Sequence, residues 1–154
     1  MDYDNLAPGY NELHGEEQEA KMRIIRPYVK GKTLDVGCGT GLSSQGLNDV
    51  MGIDPSEGML KHADIPTVKG KAEDLPFEND SFDTVISVTA FHNFHEPEKA
   101  LEEMKRVCKG DIVISLLRKS NRFDELIDLI KKHLKVKKTI MEDKDLVVVC
   151  DGSL

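Results

Sequence analysis

Apolar positions along the chain alternate between helix-like and strand-like spacing, and the order of this alternation predicts the architecture. Helices are predicted from apolar stripes or capping residues in five segments: 16–28, 42–47, 56–63, 96–107 and 121–134. Strands are predicted from short apolar and β-branched runs in seven segments: 33–36, 50–53, 65–69, 83–88, 112–117, 136–140 and 146–150. Strands that alternate with helices are typical of a parallel α/β sheet.

The last two predicted strands are an exception to the parallel order. Only residues 141–145 separate them, which suits an antiparallel hairpin and is too short for a crossover helix. The sequence therefore predicts an α/β fold with a doubly wound, mostly parallel sheet and an antiparallel strand pair at its C-terminal end. A single domain over residues 1–154 is expected, because no linker or internal repeat is evident in the sequence.

A glycine-rich segment, Gly37-Cys38-Gly39-Thr40-Gly41, follows the first predicted strand. In a doubly wound sheet the ligand lies beyond the carboxyl ends of the strands, usually beside the first strand. Glycines there let the backbone turn sharply and approach a ligand that a Cβ would exclude. Position 42 is Leu, whereas the dinucleotide fingerprint G-x-G-x-x-G requires glycine. A nicotinamide-dependent oxidoreductase is therefore disfavoured.

Two further segments extend the predicted site. Asp54 follows the second predicted strand, and its carboxylate suits the two hydroxyls of a ribose because it only accepts hydrogen bonds. Residues 71–77 follow the third predicted strand, where an acid can accept from an exocyclic amine and a backbone N–H can donate to a ring nitrogen. Together with the glycine segment they predict a binding site for adenosine.

Four motifs occur in sequence: LDVGCGTG at 34–41, GIDPSEGML at 52–60, AEDLPF at 72–77 and SFDTVIS at 81–87. In this order and spacing they resemble the class I S-adenosylmethionine-dependent methyltransferases, in particular the type 11 core shared with ubiquinone and menaquinone biosynthesis enzymes. The resemblance covers residues 1–117. It implies a Rossmann-like methyltransferase fold, S-adenosyl-L-methionine as cofactor, S-adenosyl-L-homocysteine as product, and an N-terminal lid over residues 1–15.

The resemblance also implies a role for each motif. The methionine part of the cofactor would contact the glycine loop and the end of the fourth strand: Asp35, Gly37, Cys38, Gly39, Gly41, Val88 and Thr89. The ribose and adenine would contact the loops after the second and third strands: Asp54, Pro55, Ser56, Met59, Ala72, Glu73 and Asp74. Within these sets, Asp35 would hold the ammonium, Asp54 the ribose hydroxyls, and either Glu73 or Asp74 the adenine amine.

The sequence leaves the catalytic residues open, because a sulfonium methyl group needs only an acceptor lone pair placed in line behind it. Thr89, His92 and Tyr10 are candidates, and a general base matters only if the acceptor loses its proton late. His92 and His95 are three residues apart, but the sequence offers no third ligand beside them, so no metal is expected.

The sequence departs from the family pattern in ways that affect the acceptor side. The stretch between Gly41 and Asp54 is about one helical turn short, Lys71 replaces an acid, and residues 107–111 lack a Pro-Gly-Gly turn. No inserted subdomain covers a substrate. The acceptor site is therefore expected to be open, and to be completed by residues 1–15, by a second copy in a homodimer or by an activating protein partner.

The function expected from this resemblance is transfer of a methyl group to an unidentified acceptor, which is RNA, protein or a small molecule. The alternative is a non-catalytic cofactor-binding module or a subunit of a methyltransferase complex. The short core and the lack of an inserted subdomain are compatible with either of these functions.

Composition restricts the partners and the compartment. The net charge is −7, and the acidic residues are concentrated before position 109, so no strong unaided nucleic-acid binding is expected. The basic segment 131–138 is interpreted as a solvated helix end and a lysine-protected strand edge. Three widely separated cysteines, an acidic N-terminus and no apolar run of membrane length indicate a cytoplasmic protein without membrane association.

Overall fold

The computed structural model describes residues 16–39, 41, 44 and 46–153, and its strands form one seven-stranded sheet. The strands are Thr33–Val36 (β1), Val50–Asp54 (β2), Thr67–Lys69 (β3), Phe82–Val88 (β4), Cys108–Leu117 (β5), Lys135–Met141 (β6) and Asp145–Asp151 (β7). The helices are residues 16–25 (α1), Glu57–Leu60 (α2), Pro97–Val107 (α3) and Phe123–His133 (α4). Arg26–Tyr28 and Phe91–Asn93 form 3-10 turns.

The strand order is β3-β2-β1-β4-β5-β7-β6. The strands from β3 to β5 are parallel, whereas β7 pairs antiparallel with both β5 and β6. This confirms the predicted doubly wound sheet and its antiparallel C-terminal pair. Because strand order reverses between β1 and β4, their carboxyl ends flank the position at which such sheets bind ligands.

Apolar residues of the central strands alternate between two cores, one on each face of the sheet. On β5, Ile112 and Ile114 pack with α3 and α4, while Val113 packs with Met22 and Ile25 of α1. Coverage on both faces explains why these strands read as nearly continuous apolar runs. Among the described helices, none is both long and apolar enough to cross a membrane.

The start of β5 differs from the prediction. The sequence pattern places it at Ile112, but the strand begins at Cys108, directly after α3. Cys108 pairs with Phe82, and the register shifts between Phe82 and Thr84, where β5 contains one residue more than β4. A Cβ at Gly110 would overlap the carbonyl oxygen of Asp83, so only glycine fits this irregular pairing.

Two predicted helices are clearly shorter in the structure. The first helix ends at residue 25 and continues as a 3-10 turn, because Pro27 has no N–H to donate. The third is only Glu57–Leu60, although Ser56 caps it as predicted by accepting from the Met59 N–H at 3.2 Å. The predicted helix 42–47 lies partly outside the described residues. Residues 1–15, the predicted lid, lie entirely outside them.

A hydrogen-bond network around Arg106 of α3 fixes the chain that follows β3. Its guanidinium donates to the carbonyl oxygens of Leu75 at 2.9 Å and Phe77 at 2.8 Å, and to Glu103 at 2.7 Å. Glu103 in turn accepts the Leu75 N–H at 2.9 Å. The hydrogen bond from Arg106 lowers the pKa of Glu103, although desolvation opposes the shift.

This network predicts an acid-sensitive contribution to stability. A carboxyl group with a lowered folded-state pKa stabilises the fold above its unfolded pKa, and this stabilisation is lost as pH falls through the folded pKa. Glu103→Gln is therefore expected to lower the free energy of unfolding by about 1–3 kcal/mol at pH 7, and by less below about pH 4. Urea titrations at both pH values measure this. Glu102→Gln is the exposed control on the same helix, and an equal loss for Glu103→Gln at both pH values would contradict the assignment.

Candidate functional site

A cavity of about 580 Å³ lies at the carboxyl ends of β1, β2 and β4. Its volume is within the roughly 300–1,000 Å³ typical of small-molecule sites. The glycine loop, the loops after β2 and β3, and the segment after β4 contribute to its walls, and Gln18 of α1 adds a further side chain. The structure therefore brings together the segments that the sequence predicted to meet.

The glycine loop forms one wall in a conformation that favours glycine. Gly37 has φ of +78° and Gly39 has φ of +55°. A Cβ would lie 2.7 Å from the Ala90 Cβ if placed on Gly37, and 3.2 Å from the Met59 Cε if placed on Gly39. The loop is held to β2 because the N–H groups of Gly37 and Cys38 both donate to a single carbonyl, at 2.8 and 3.1 Å. It is a rigid cradle without side chains at the two cavity-lining glycines.

Cys38, between these glycines, also lines the cavity but is buried. Burial raises the pKa of its thiol well above the ordinary value, and the nearby carboxylates of Asp35 and Asp54 raise it further. The thiol is therefore protonated at neutral pH and unreactive.

Asp54 joins the loops after β1 and β2. One carboxylate oxygen accepts the Gly39 N–H at 2.9 Å, and the other accepts the Ser56 N–H at 2.9 Å. Asp54 lines the cavity and is half-buried. A carboxylate offers about four lone-pair sites, so it can accept from ribose hydroxyls while it holds both loops.

The loop after β3 distinguishes the two acids that the sequence left as alternatives. Glu73 lines the cavity, and its carboxylate accepts the Glu96 N–H at 3.1 Å. Asp74 is exposed, forms an isolated backbone bridge with Lys71, and does not itself line the cavity. Buried Ala72 also lines the cavity. Of the two acids, Glu73 alone lines the cavity.

Thr89 follows β4 and lines the cavity with φ of +52°, which is rare for a residue other than glycine. Its hydroxyl accepts from the Lys21 Nζ at 2.8 Å and donates to the Asp145 Oδ2 at 2.6 Å. Its N–H donates to the Ser115 Oγ at 2.8 Å. The hydroxyl proton of Thr89 is therefore already donated to Asp145.

The two neighbouring histidines differ in environment. His92 is half-buried, and burial lowers its pKa; Asp145 opposes this shift, whereas Lys21 and Arg122 reinforce it. It is therefore neutral at pH 7, but it does not line the cavity. His95 is exposed and does line it. Within the part of the chain that the structure describes, neither histidine belongs to a cluster of three potential metal ligands.

Several residues predicted for the site lie outside the described cavity wall. Asp35 is buried in β1 and accepts from the Ser44 hydroxyl, and Gly41 faces Ala63 and Ile65. Ser56 caps α2. Their contacts to a ligand stay predictions, as does that of Asp74, and Tyr10 is outside the described residues.

Several residues line the cavity without having been predicted to bind ligand, among them Ile53, Gly70 and Lys71 beside the ends of β2 and β3. Asn93, Phe94 and Glu96 follow β4, and the rule that ligands bind beyond strand ends could have included them. Gln18 comes from α1, and nothing in the local sequence indicates that this helix packs against the end of β4.

Comparison with known proteins is consistent with this geometry. The model of the methyltransferase domain family, Methyltransf_11, matches residues 34–115. A demethylmenaquinone methyltransferase of Renibacterium salmoninarum is 38% identical, over 73% of this chain and 56% of that protein. An uncharacterized protein of Methanocaldococcus jannaschii is 38% identical, over 71% of this chain and 47% of that protein. The chain thus spans about half the length of these curated relatives.

Solved structures share the fold over nearly the whole chain. The protein bound to the Trm112 methyltransferase activator in a Haloferax volcanii complex is similar with a TM-score of 0.83 and 18% identity, over 99% of this chain and 98% of that one. A SAM-dependent methyltransferase from Aquifex aeolicus has a TM-score of 0.72 and 20% identity, over 96% and 95%. At these identities the likeness concerns the fold. The family match covers more than half of the 154 residues and includes the glycine loop, Asp54 and the end of β4, and the chain belongs to the methyltransferase domain family.

Proposed function

We propose that this chain transfers a methyl group from S-adenosyl-L-methionine to an acceptor, and that the cavity described above holds the cofactor. The observation that carries the proposal is the hydrogen bond from the Gly39 N–H to Asp54 at the cavity wall. It places a cradle without side chains directly beside an acceptor-only group, the pair of features that an adenosine with a chain on its 5′ carbon requires.

The residues present fit each part of this cofactor. Asp54 would accept from the ribose hydroxyls, and the adenine would lie beside Ala72 and Glu73 with Met59 against its face. The homocysteine chain would follow Gly37 and Gly39 toward the end of β4. A Cβ on Gly37 would overlap Ala90 and one on Gly39 would crowd Met59, so only glycine keeps the backbone and these lining side chains in place there.

Charge supports the same assignment. Among the described lining residues, the carboxylates of Asp54, Glu73 and Glu96 outnumber the single ammonium of Lys71. A sulfonium and an ammonium give S-adenosylmethionine more positive than negative charge, so a lining of net negative charge attracts it. The same lining repels a polyanionic acceptor, so binding of RNA would need positive charge supplied from elsewhere.

Catalysis requires the protein mainly to place the methyl group in line with the acceptor. When bound, S-adenosylmethionine supplies an electrophilic methyl group on a sulfonium, which an acceptor lone pair attacks in line. The chain orients that group and excludes water from it with Val88, Ala90 and Phe94, which line the cavity near the end of β4. His92 is neutral but does not line the cavity, so it can take a proton only from a methyl acceptor that extends beyond the cavity wall.

A second candidate function is that of a catalytic subunit that works with an activating partner. The Haloferax volcanii complex favours it, since that similar protein is bound to a methyltransferase activator. We infer that a partner of this kind, or a second copy of the chain, would complete an acceptor site that the described residues leave open. A non-catalytic cofactor-binding module is the remaining alternative.

One experiment separates these functions. Incubation with S-adenosylmethionine labelled on its methyl group and fractionated lysate of the source organism is expected to label one of three fractions: RNA, protein or small molecules. Asp54→Ala is expected to lower the incorporated label by about tenfold or more, whereas the exposed control Asp49→Ala retains it. Label transfer only when a protein fraction is added back indicates a partner. Binding of S-adenosylhomocysteine without transfer under any condition would contradict the enzymatic proposal.

A further inference from the structure

A buried ion pair lies behind the cavity wall. The Nζ of Lys21 on α1 is 3.4 Å from the Asp145 Oδ1 at the start of β7, and these side chains are 3% and 0% exposed. Burying two charges costs several kcal/mol per ion, and apolar residues of similar volume often give equal or greater stability. Stability alone therefore does not explain why two charges are placed here.

Thr89 lies between the two charges. Its hydroxyl is 2.8 Å from the Lys21 Nζ and 2.6 Å from the Asp145 Oδ2, so it accepts from one and donates to the other. The N–H of Thr89 is held by the Ser115 hydroxyl of β5. Thr89 is thus bound to three separate elements, α1, β5 and β7, and each bond restricts the backbone at this point.

The conformation held in this way is strained. Thr89 has φ of +52° although it is β-branched; such a conformation costs about 1–3 kcal/mol and persists only where its surroundings impose it. The strain occurs where β4 ends and the cavity begins. Strain held by a buried polar network at a cavity wall is typical of a functional site.

The network also fixes the position of α1. Gln18 precedes Lys21 by one helical turn, lines the cavity and is 7% exposed. Its Oε1 has no hydrogen-bond partner among the described residues, and neither does the Nδ1 of His92. Unsatisfied buried polar atoms around this network indicate a place where a polar ligand group or ordered water completes the hydrogen bonding.

We propose that Lys21 and Asp145 are positioning residues for the methionine end of the cofactor: they hold Thr89 in its strained conformation and hold Gln18 of α1 against the cavity. This proposal rests on the proposed function. The adenosine end depends on other residues, Asp54, Ala72 and Glu73, and no hydrogen bond joins them to the network within the described part of the chain. Loss of the network is therefore expected to affect one end of the ligand only.

Two nucleosides provide the test. S-adenosylhomocysteine has the complete amino-acid chain, whereas 5′-methylthioadenosine has the same adenosine and sulfur but lacks that chain. Calorimetry is expected to show that Lys21→Met/Asp145→Asn lowers the affinity for S-adenosylhomocysteine by about tenfold, and that for methylthioadenosine by less than about twofold. The double substitution removes both charges, so neither is left buried alone. Lys30→Met, at an exposed lysine, is the matched control.

Each outcome decides the proposal. A selective loss for S-adenosylhomocysteine supports it. Unchanged affinity for both nucleosides, or an equal loss for both, would overturn it while leaving the proposed function in place. If the wild-type chain binds neither nucleoside, the proposed function fails and this inference fails with it.

A second pair of variants covers the case in which the double variant does not fold. Thr89→Gly relieves the strain but removes the hydroxyl, whereas Thr89→Ser keeps the hydroxyl. The proposal predicts that Thr89→Gly weakens binding of S-adenosylhomocysteine more than Thr89→Ser does, with little difference for methylthioadenosine. Tighter or equal binding of S-adenosylhomocysteine by Thr89→Gly would contradict it.

Discussion

Replacement of Gly39 by valine is expected to abolish binding of S-adenosylhomocysteine while the chain remains folded. Gly39 has φ of +55°, and a side chain there would project into the space between the loop and Met59. The left-handed conformation costs a β-branched residue about 1–2 kcal/mol, a cost that a folded domain can absorb. In the cavity, by contrast, the valine side chain would stand between the loop backbone and the proposed ligand. Calorimetry measures binding, and circular dichroism with thermal unfolding measures the fold.

Gly46→Val is the matched control for this prediction. Gly46 also has a positive φ, +86°, but it is exposed, and a Cβ there would meet no atom of the described residues within 4 Å. Both variants therefore carry the same kind of backbone strain, and only one of them fills the cavity. Normal binding by Gly39→Val, or equal loss in both variants, would show that the loop does not approach the ligand.

Replacement of Asp54 by alanine is expected to weaken binding of S-adenosylhomocysteine by about 1–3 kcal/mol, or about 5- to 150-fold in affinity. Two effects contribute. The ribose hydroxyls lose a charged acceptor, and the N–H groups of Gly39 and Ser56 lose the carboxylate that holds the two loops together. Calorimetric titration of the variant measures the combined loss.

Asp54→Asn removes each effect only in part, because the amide oxygen keeps one acceptor while the charge and the second acceptor are lost. A loss smaller than that of Asp54→Ala is expected for it. Asp49→Ala, at the other end of β2, is exposed and serves as the control. Wild-type affinity in Asp54→Ala would refute the ribose assignment.

The sequence predicted a mostly parallel sheet with an antiparallel pair at its end, because strands alternate with helices until a short connection joins the last two strands. It also predicted that the glycine loop and Asp54 would meet, since the carboxyl ends of adjacent parallel strands lie side by side. The hydrogen bond between Gly39 and Asp54 joins residues only 15 positions apart, across a single strand-loop-strand unit. Sequence patterns can predict a contact between residues this close along the chain.

The features that the sequence did not predict depend on contacts between distant segments. Lys21 and Thr89 are 68 positions apart, and Thr89 and Asp145 are 56 apart. No periodicity or motif indicates that these three side chains share a buried site. The early start of β5 has a similar cause, because Cys108 joins the sheet through its pairing with Phe82 rather than through its own apolar pattern.

The most direct measurement is a crystal structure of the chain grown with S-adenosylhomocysteine. The account predicts the two ribose hydroxyls within hydrogen-bond distance of the Asp54 carboxylate, the adenine beside Ala72 and Glu73, and the homocysteine chain along Gly37 and Gly39. A nucleoside bound elsewhere, or a cavity that stays empty at a saturating concentration, would contradict it.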